Sequence, residues 1–496
     1  MSLIGIDVGS TVLKISAYTV DGRLLAIVSK PHTPYHPHPG TWEVDPKEVW
    51  NNLVSSFRQL VSMESIKQDP PIAIGISAST REAFPVGAEG EPLGPCIMTA
   101  DTRESGLEKI LLNLYPPETW FSFCGHLPER MDPICRLLWW KQNHPDVIEK
   151  AKYFLGWAEF ISLKLVGKAV ADRSHAGRWL TYNFKTHQWS HELISQLKIK
   201  AELLPEIRPW GTIIGTLKPD VSKLLGLKVD AELAVGANDA VCCTLGAGCS
   251  KSGSGCLMSG SWENILTPIT SPPPPGNLIK IGVSIGPYPG KSGWMIYALN
   301  PTGSAVLNCV RNLVELSIEN AERELQRSER SPGSIIAIPH FSGALTPWSE
   351  GSKLRGTFLG LTLATNKMDI VKAVMESIAY DLFYTVDAFK SMGIKLSALR
   401  AIGGGSRSPW WNQLKADLIG IPLETVNQPE VGTVGAALLA GWAIKIFTDP
   451  EKEADAFTQV TQRFEPNSER ANMYKPRMKL YKDLINDLIK LYNAIL

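Results

Sequence analysis

The chain opens on apolar positions Leu3, Ile4 and Ile6, breaks at Asp7, Gly9, Ser10 and Thr11, and resumes as a β-rich run from Val12 to Tyr18. That pattern predicts a strand, a tight turn and a second strand rather than a strand entering a helix. Leu24 to Val28 predicts a third strand, followed by a Pro- and His-rich loop over 31–40. Val49, Trp50, Leu53, Val54, Phe57 and Leu60 then recur at helical spacing behind Asp45 and Pro46, an N-cap and first-turn pair. Ile72 to Ser77 has the short apolar run of a buried strand and ends in Ser79-Thr80-Arg81-Glu82; Cys96 to Met98 is another, ending in Asp101-Thr102-Arg103. Helices are predicted from Asp132-Pro133 to about Asn143 and from Ala158 to Val166, with Gly167 as the stop. Leu233 to Ala240 reads as a strand stopping at Gly236, then Asn238, Asp239 and a helix of small residues to Gly248.

The second half repeats the opening. After a Gly/Ser-rich turn at 249–255, a plausible boundary, Leu257 leads into Gly260, Ser261 and Trp262, again a small hydroxyl residue beside a glycine. This recurrence suggests a duplicated architecture. Met368 to Met392 is a long helix with Val371, Val374, Met375, Ile378, Leu382 and Val386 on one face. A strand from Leu399 runs into Gly403, Gly404, Gly405 and Ser406, and the helix behind it carries Asn412. Gly432 opens a helix whose small-residue face permits close packing, and the tail from Asp449 is charged and mostly helical.

Strands alternating with helices over 496 residues predict an α/β protein of two domains. With 44% hydrophobic and 20% charged residues the chain is globular, and a net charge of +1 argues against a general nucleic-acid footprint or a polybasic membrane patch. No apolar run approaches the roughly 18 residues of a membrane helix. Eight cysteines without a CxxC or a Cys/His ligand spacing suit a reduced, cytoplasmic protein, and His32, His36 and His38 lack a second ligand cluster.

Several stretches carry candidate chemistry. Gly9 lets the backbone approach a bulky anion, the Ser10 and Thr11 hydroxyls can donate to phosphate oxygens, and Lys14 is a point charge for the same anion. Asp7 would need Mg²⁺ or a water bound to it between its carboxylate and a phosphate. A plain hairpin turn is an equally good account of this stretch. Arg81 with Glu82, and Asp101 with Arg103, suit a polyhydroxylated ligand, since carboxylates accept hydroxyl protons and guanidinium groups donate; ion pairs are the alternative. Asp239 reads either as an N-cap or as a general base toward a sugar hydroxyl. Gly403 to Ser406, between a strand and a helix N-terminus, suit a nucleotide.

Taken in order, IDVGSTVLK at the start, WEVDPKEVW at 42–50, DTRE at 101–104, GANDAVCCTLGAG at 236–248 and GGGSRSPWWNQLKADLIGIP at 403–422 resemble the FGGY carbohydrate kinases. The resemblance implies two actin/hexokinase-like (ribonuclease H-like) ATPase domains flanking a deep catalytic cleft. Residues 1–248 would form the sugar-binding and catalytic-base domain, and 249–496 the nucleotide-binding domain with a helical tail. It implies ATP and Mg²⁺, with Asp7, Gly9, Ser10, Thr11 and Lys14 serving the metal and phosphates. Gly260 and Ser261 would make a second phosphate turn, and Gly403 to Ser406 with Asn412 would hold the adenine nucleotide. Asp239 would be the base, with Asn238, Arg81, Glu82, Asp101 and Arg103 facing a small sugar or polyol. The chain departs from the family pattern at Trp262, where a hydroxyl residue is usual, at Arg136, where Lys is usual, and at 79–82, which lack the Gln-Met-His-Gly loop of xylulokinases. The last departure argues against D-xylulose and leaves tetritols, other ketoses and linear polyols. Family members are often dimers, so a homodimer is an open expectation. The rival reading is a weakly active or inactive actin-fold protein that binds nucleotide and sugar as a sensor.

Overall fold

Ser2–Val8 and Val12–Thr19 pair as the predicted antiparallel hairpin, with Asp7 opposite Lys14. In this computed structural model, which describes residues 1–228, 230–327 and 330–495, the hairpin forms the middle of a mixed sheet. The order is Leu24–Pro31, Val12–Thr19, Ser2–Val8, Pro71–Ala78, Glu232–Ala234 and Ile213–Thr216. Ser2–Val8 runs parallel to Pro71–Ala78, which runs parallel to Glu232–Ala234, and the edge strand Ile213–Thr216 is antiparallel.

The second hairpin, Ser254–Ser259 with Glu263–Ile269, repeats this scheme. Its first strand is parallel to Ala398–Ile402, then comes parallel Leu423–Val426 and antiparallel Val460–Phe464. The duplication read from the two turns is thus present in strand order and direction.

The chain divides into two compact units that are not its two halves. The first comprises Met1–Ser250, Ile285–Trp294 and Gln428–Thr458; the second comprises Lys251–Ser284, Met295–Asn427 and Gln459–Leu496. A boundary at 248/249 falls beside the first crossing but misses the later returns. The reason lies in the helix Val431–Ala443. A Cβ at Gly5 would stand 1.9 Å from the Thr433 carbonyl oxygen, and one at Gly75 would stand 2.0 Å from that of Ala436. The helix therefore rests backbone to backbone on the first unit's central strands. The small-residue face expected there has its partner in the N-terminal sheet.

Elsewhere in the first unit the helix Pro46–Ser62 is capped by Asp45, which accepts from the Lys47 N–H at 2.9 Å, and buries Val49, Leu53, Phe57 and Leu60. Pro133–Asn143 and Trp157–Val166 form as predicted. In the second unit Lys367–Ser391 starts in a reciprocal cap between Asn366 and Asp369 and packs against Pro409–Ile419, where the Trp411 indole donates to the Met375 carbonyl at 2.9 Å. Among the described residues no helix is long and apolar enough to cross a membrane, and no group of three His, Cys, Asp or Glu could hold a metal ion.

Candidate active site

Sheet register assembles the first unit's site. Asp7 lies opposite Lys14 on one side and Ser77 on the other, and Ser77 pairs in turn with Ala237. Four strands thus deliver a row of positions at the carboxyl ends of the parallel strands, where open α/β sheets present ligand sites. The Ser77 hydroxyl donates to Asp7 Oδ1 at 2.6 Å. Burial raises the pKa of Asp7, against the lowering effect of the Ser77 bond and of Lys14. Lys14 does not stand free for an anion: it pairs with Glu430. Gly9 closes the turn through its N–H to the Val12 carbonyl at 3.1 Å, and Ser10 and Thr11 are exposed.

Asp239 is the first residue of the helix Asp239–Gly246, and its cap is Asn238, whose Oδ1 accepts from the Val241 N–H at 2.8 Å. This corrects the N-cap alternative for Asp239. Freed from capping, its carboxylate accepts only from the adjacent Ala240 N–H, at 2.8 Å, among the bonds described. Burial first, then the charge of Asp7, pushes its pKa up to about 7. Asn238 is buried and its side chain serves the cap and the Ser174 carbonyl, which takes it away from the substrate contact expected of it.

Arg81 and Glu82 are both anchored. Arg81 pairs with Glu129 at 2.7 Å and with Asp132. Asp132, the residue before the helix Pro133–Asn143, therefore holds this arginine and makes no side-chain cap for that helix. Glu82 accepts from Ser79 at 2.5 Å and from Thr99 at 2.6 Å. Asp101 and Arg103 bind each other through two guanidinium nitrogens, at 2.9 and 2.8 Å. Arg103 also pairs with Glu43 at 2.6 Å and lies over the Trp139 ring, while Asp101 accepts from the Trp42 N–H. They are a buried brace, closer to the ion-pair alternative than to a polyol contact. Arg136 is fully buried 3.6 Å from Glu104.

In the second unit the turn Gly260-Ser261-Trp262 closes through the Gly260 N–H to the Trp262 carbonyl at 3.0 Å, and the Ser304 N–H donates to the Gly260 carbonyl at 2.8 Å. Gly403 adopts φ +84°, a left-handed conformation that favours glycine, and a Cβ there would stand 2.9 Å from the Ser259 carbonyl oxygen. Nothing lies within 4 Å of the Cβ position of Gly404. A backbone cradle open on one side results, which suits a nucleotide. Ser406 donates to the Gly403 carbonyl at 2.7 Å, and the Asn412 amide donates to the Ser406 carbonyl at 2.7 Å. Asn412 is buried and so shapes the turn. Beneath it Lys415 pairs with Glu263, donates to Ser259 Oγ at 2.9 Å and lies 3.7 Å from the Trp411 ring centroid.

Lys415, Glu263 and Glu430 escape a reading by motif, because each acts through a partner far away in sequence.

Two α/β units with one repeated strand scheme, each with a glycine- and hydroxyl-bearing hairpin turn, have the build of an actin/hexokinase-like ATPase. The comparisons agree. Residues 2–246 match the N-terminal domain model of the FGGY family of carbohydrate kinases, and residues 258–444 match its C-terminal domain model. The chain belongs to that family and is a carbohydrate kinase, a class that uses ATP. It is 25% identical to a xylulose kinase of Staphylococcus epidermidis, over 99% of both chains. It is 28% identical to a glycerol kinase of Carboxydothermus hydrogenoformans, over 97% of this chain and 96% of that one. Ligand-bound xylulose kinase from Lactobacillus acidophilus superposes with a TM-score of 0.89 at 26% identity, covering 100% of each chain.

Proposed function

We propose that this kinase phosphorylates a hydroxyl of a small, uncharged sugar or polyol, with Asp239 as general base. The observation that carries the reading is Asp239 itself. It stands at a strand end with its carboxylate not committed to capping, held near neutrality by burial and by Asp7. A general base whose pKa lies near the working pH combines a substantial ionised fraction with enough basicity to take the hydroxyl proton. Asp239 takes the hydroxyl proton as the oxygen attacks the γ-phosphorus; the new O–P bond forms, the bridging P–O bond breaks and ADP leaves.

Asp7 is the residue that would hold Mg²⁺, directly or through water. The fit is that of a single carboxylate sharing the ion with phosphates, as is usual for Mg²⁺. Bound there, the ion would neutralise charge on the transferred group. The backbone around Gly260 and Gly403 to Gly405 would receive the nucleotide. Arg81, with two of its three nitrogens engaged by Glu129 and Asp132, keeps donors for acceptor oxygens. The mutual effect of Asp7, Glu82 and Asp239 disfavours a carboxylated acceptor.

A coupled ADP-release assay with Mg·ATP over glycerol, tetritols, ketopentoses, ketohexoses and gluconate tests this. A neutral acceptor should respond more strongly than gluconate. Asp239→Ala should still bind acceptor and ATP while losing about 10²–10⁴ in kcat. Near-normal turnover in that variant would remove Asp239 from the mechanism. A wild-type enzyme that binds ATP but ignores the whole panel would favour the sensor reading.

A further inference from the structure

Asp381 lies within the helix Lys367–Ser391 and is only 1% exposed. A carboxylate is costly to bury unless donors surround it. Its Oδ1 accepts from the Trp348 indole at 2.7 Å and from the hydroxyl of Tyr481, on the helix Ser468–Ile495, at 2.8 Å. Trp348 and Tyr481 belong to the second unit's core, so these two bonds anchor the carboxylate there. Its Oδ2 serves a different segment. It accepts from the Asn300 amide at 3.1 Å, with the Thr302 hydroxyl 3.5 Å and His340 Nε2 3.6 Å away.

The segment held by Oδ2 is the one that seats the turn Gly260-Ser261-Trp262. Asn300 Oδ1 accepts from the Thr302 N–H at 3.2 Å and from the Thr302 hydroxyl at 2.7 Å, which closes residues 300–302 into a tight loop. The Asn300 carbonyl accepts the Glu263 N–H at 3.0 Å, and the Asn300 N–H donates to Asn264 Oδ1 at 3.2 Å. Gly303, further along, packs directly on the turn: a Cβ there would stand 2.7 Å from the carbonyl oxygens of both Gly260 and Ser261. The helix Ser304–Leu313 begins next, and its first two N–H groups donate to those carbonyls. Ser304 reaches Gly260 at 2.8 Å and Ala305 reaches Ser261 at 3.4 Å. A turn that binds an anion offers N–H and hydroxyl groups, so its carbonyl oxygens must be engaged elsewhere. Here the helix start engages both, while Ser261 stays exposed.

We propose that Asp381 is a positioning residue for nucleotide binding: through Asn300 and Thr302 it fixes the loop 300–304, which holds the turn Gly260-Ser261-Trp262 in the shape that receives phosphate. The proposal rests on the reading of that turn as part of the nucleotide site. Asp381 acts through the loop and not on a reacting atom. Its loss should therefore appear in nucleotide affinity and leave acceptor affinity alone.

The test measures Mg·ADP binding by calorimetry, KM for ATP and acceptor by ADP release, and Tm, all in the full chain. Asp381→Asn, Asn300→Ala and Thr302→Val loosen the loop, and Tyr384→Phe is the control. The Tyr384 hydroxyl donates to the Met478 carbonyl at 2.8 Å, so it joins the same two helices as Asp381 and Tyr481 without touching the loop. Asp381→Asn and Asn300→Ala should raise the Mg·ADP Kd about 10- to 100-fold, the range for a hydrogen bond to a charged group. Thr302→Val, which loses a neutral bond, should raise it about 2- to 10-fold. KM for ATP should follow, with KM for the acceptor within about twofold. Tyr384→Phe should lower Tm and leave the Mg·ADP Kd within about twofold. Wild-type Kd in the loop variants overturns the proposal, and so does an equal weakening in Tyr384→Phe, which marks general loosening of the unit. If Asp381→Asn does not fold, Asn300→Ala and Thr302→Val decide. Gly303→Ala, which presses on the turn directly, separates the proposal from the reading beneath it. Weak Mg·ADP binding there beside unchanged loop variants sinks the role of Asp381 alone. Unchanged binding there removes the turn from the nucleotide site, and the proposal with it. A wild type that binds Mg·ADP yet phosphorylates no acceptor ends the kinase reading of Asp239, while the Kd comparison still decides Asp381.

Discussion

Burial and the charge of Asp7 hold the Asp239 carboxyl at about 7. A general base must be ionised, so kcat/KM for the acceptor should rise with pH and level off above about 7, as read from a profile between pH 5 and 9. Stability runs the other way. The folded pKa lies above the ordinary 3.8, so between those values the folded state keeps a proton that the unfolded chain has lost. The contribution is complete below about pH 4 and lost as pH rises through about 7. Asp239→Asn, which cannot ionise, should therefore melt higher than wild type at pH 8, and the gain should vanish near pH 4. A difference in Tm that ignores pH would mean the carboxylate is not desolvated. Lys415 poses the complementary case in the second unit. Burial lowers its pKa, and Glu263 opposes that by holding its charge. Lys415→Met strands a buried carboxylate and should cost roughly 3–5 kcal/mol in denaturant unfolding, the usual penalty for breaking a buried pair. Because Lys415 bonds Ser259 beside the Gly260 turn, KM for ATP should rise while KM for the acceptor stays put.

At the scale of the element, the helix Val431–Ala443 shows how packing can overrule propensity. In an exposed helix interior, alanine for glycine would stabilise by about 1 kcal/mol. At Gly435 the new Cβ would stand 2.0 Å from the Cys242 carbonyl oxygen, in the backbone of the helix that begins at Asp239. The backbone cannot swing aside as a flexible side chain could. Gly435→Ala should therefore destabilise by about 1–3 kcal/mol or more, measured by urea unfolding. Because it pushes on the helix that carries Asp239, it should also lower kcat. A Gly435→Ala enzyme as stable as wild type would mean that the helix is not seated there. The hairpins make the opposite point. Their strands and turns follow from alternation and turn residues alone, and both formed where the pattern put them.

For the whole molecule, the consequence is that the first unit is not a continuous N-terminal piece. Residues 285–294 and 428–458 complete it, and the helix in the second of these segments covers Gly5 and Gly75. A fragment of residues 1–250 leaves that sheet face in water. It should aggregate or melt without a cooperative transition, whereas the same fragment supplied with residues 428–458 should melt cooperatively. A well-behaved isolated 1–250 fragment would contradict this account of the interleaved chain. The family match and the whole-length likeness to xylulose and glycerol kinases fit a chain whose two repeated units are both present.

By itself the sequence determined the two hairpins with their turns and the strongly periodic helices, because alternation, helical spacing and glycine stops act within a few residues of chain. It also carried the ordered motifs that identify the family, and it marked Asp7, Asp239 and the glycines from 403 to 405. Tertiary structure alone decided how committed each candidate is. Asp101 turned to Arg103, Arg81 to Glu129 and Asp132, Lys14 to Glu430 and Asn238 to its cap. It alone sent residues 428–458 back to the first unit and brought Ser174 to the backbone of Asn238, next to Asp239. The physical reason is range. A charge or a packing face is a local property, but its partner is chosen by burial and distance in three dimensions, and here those partners lie from two to more than four hundred residues away along the chain.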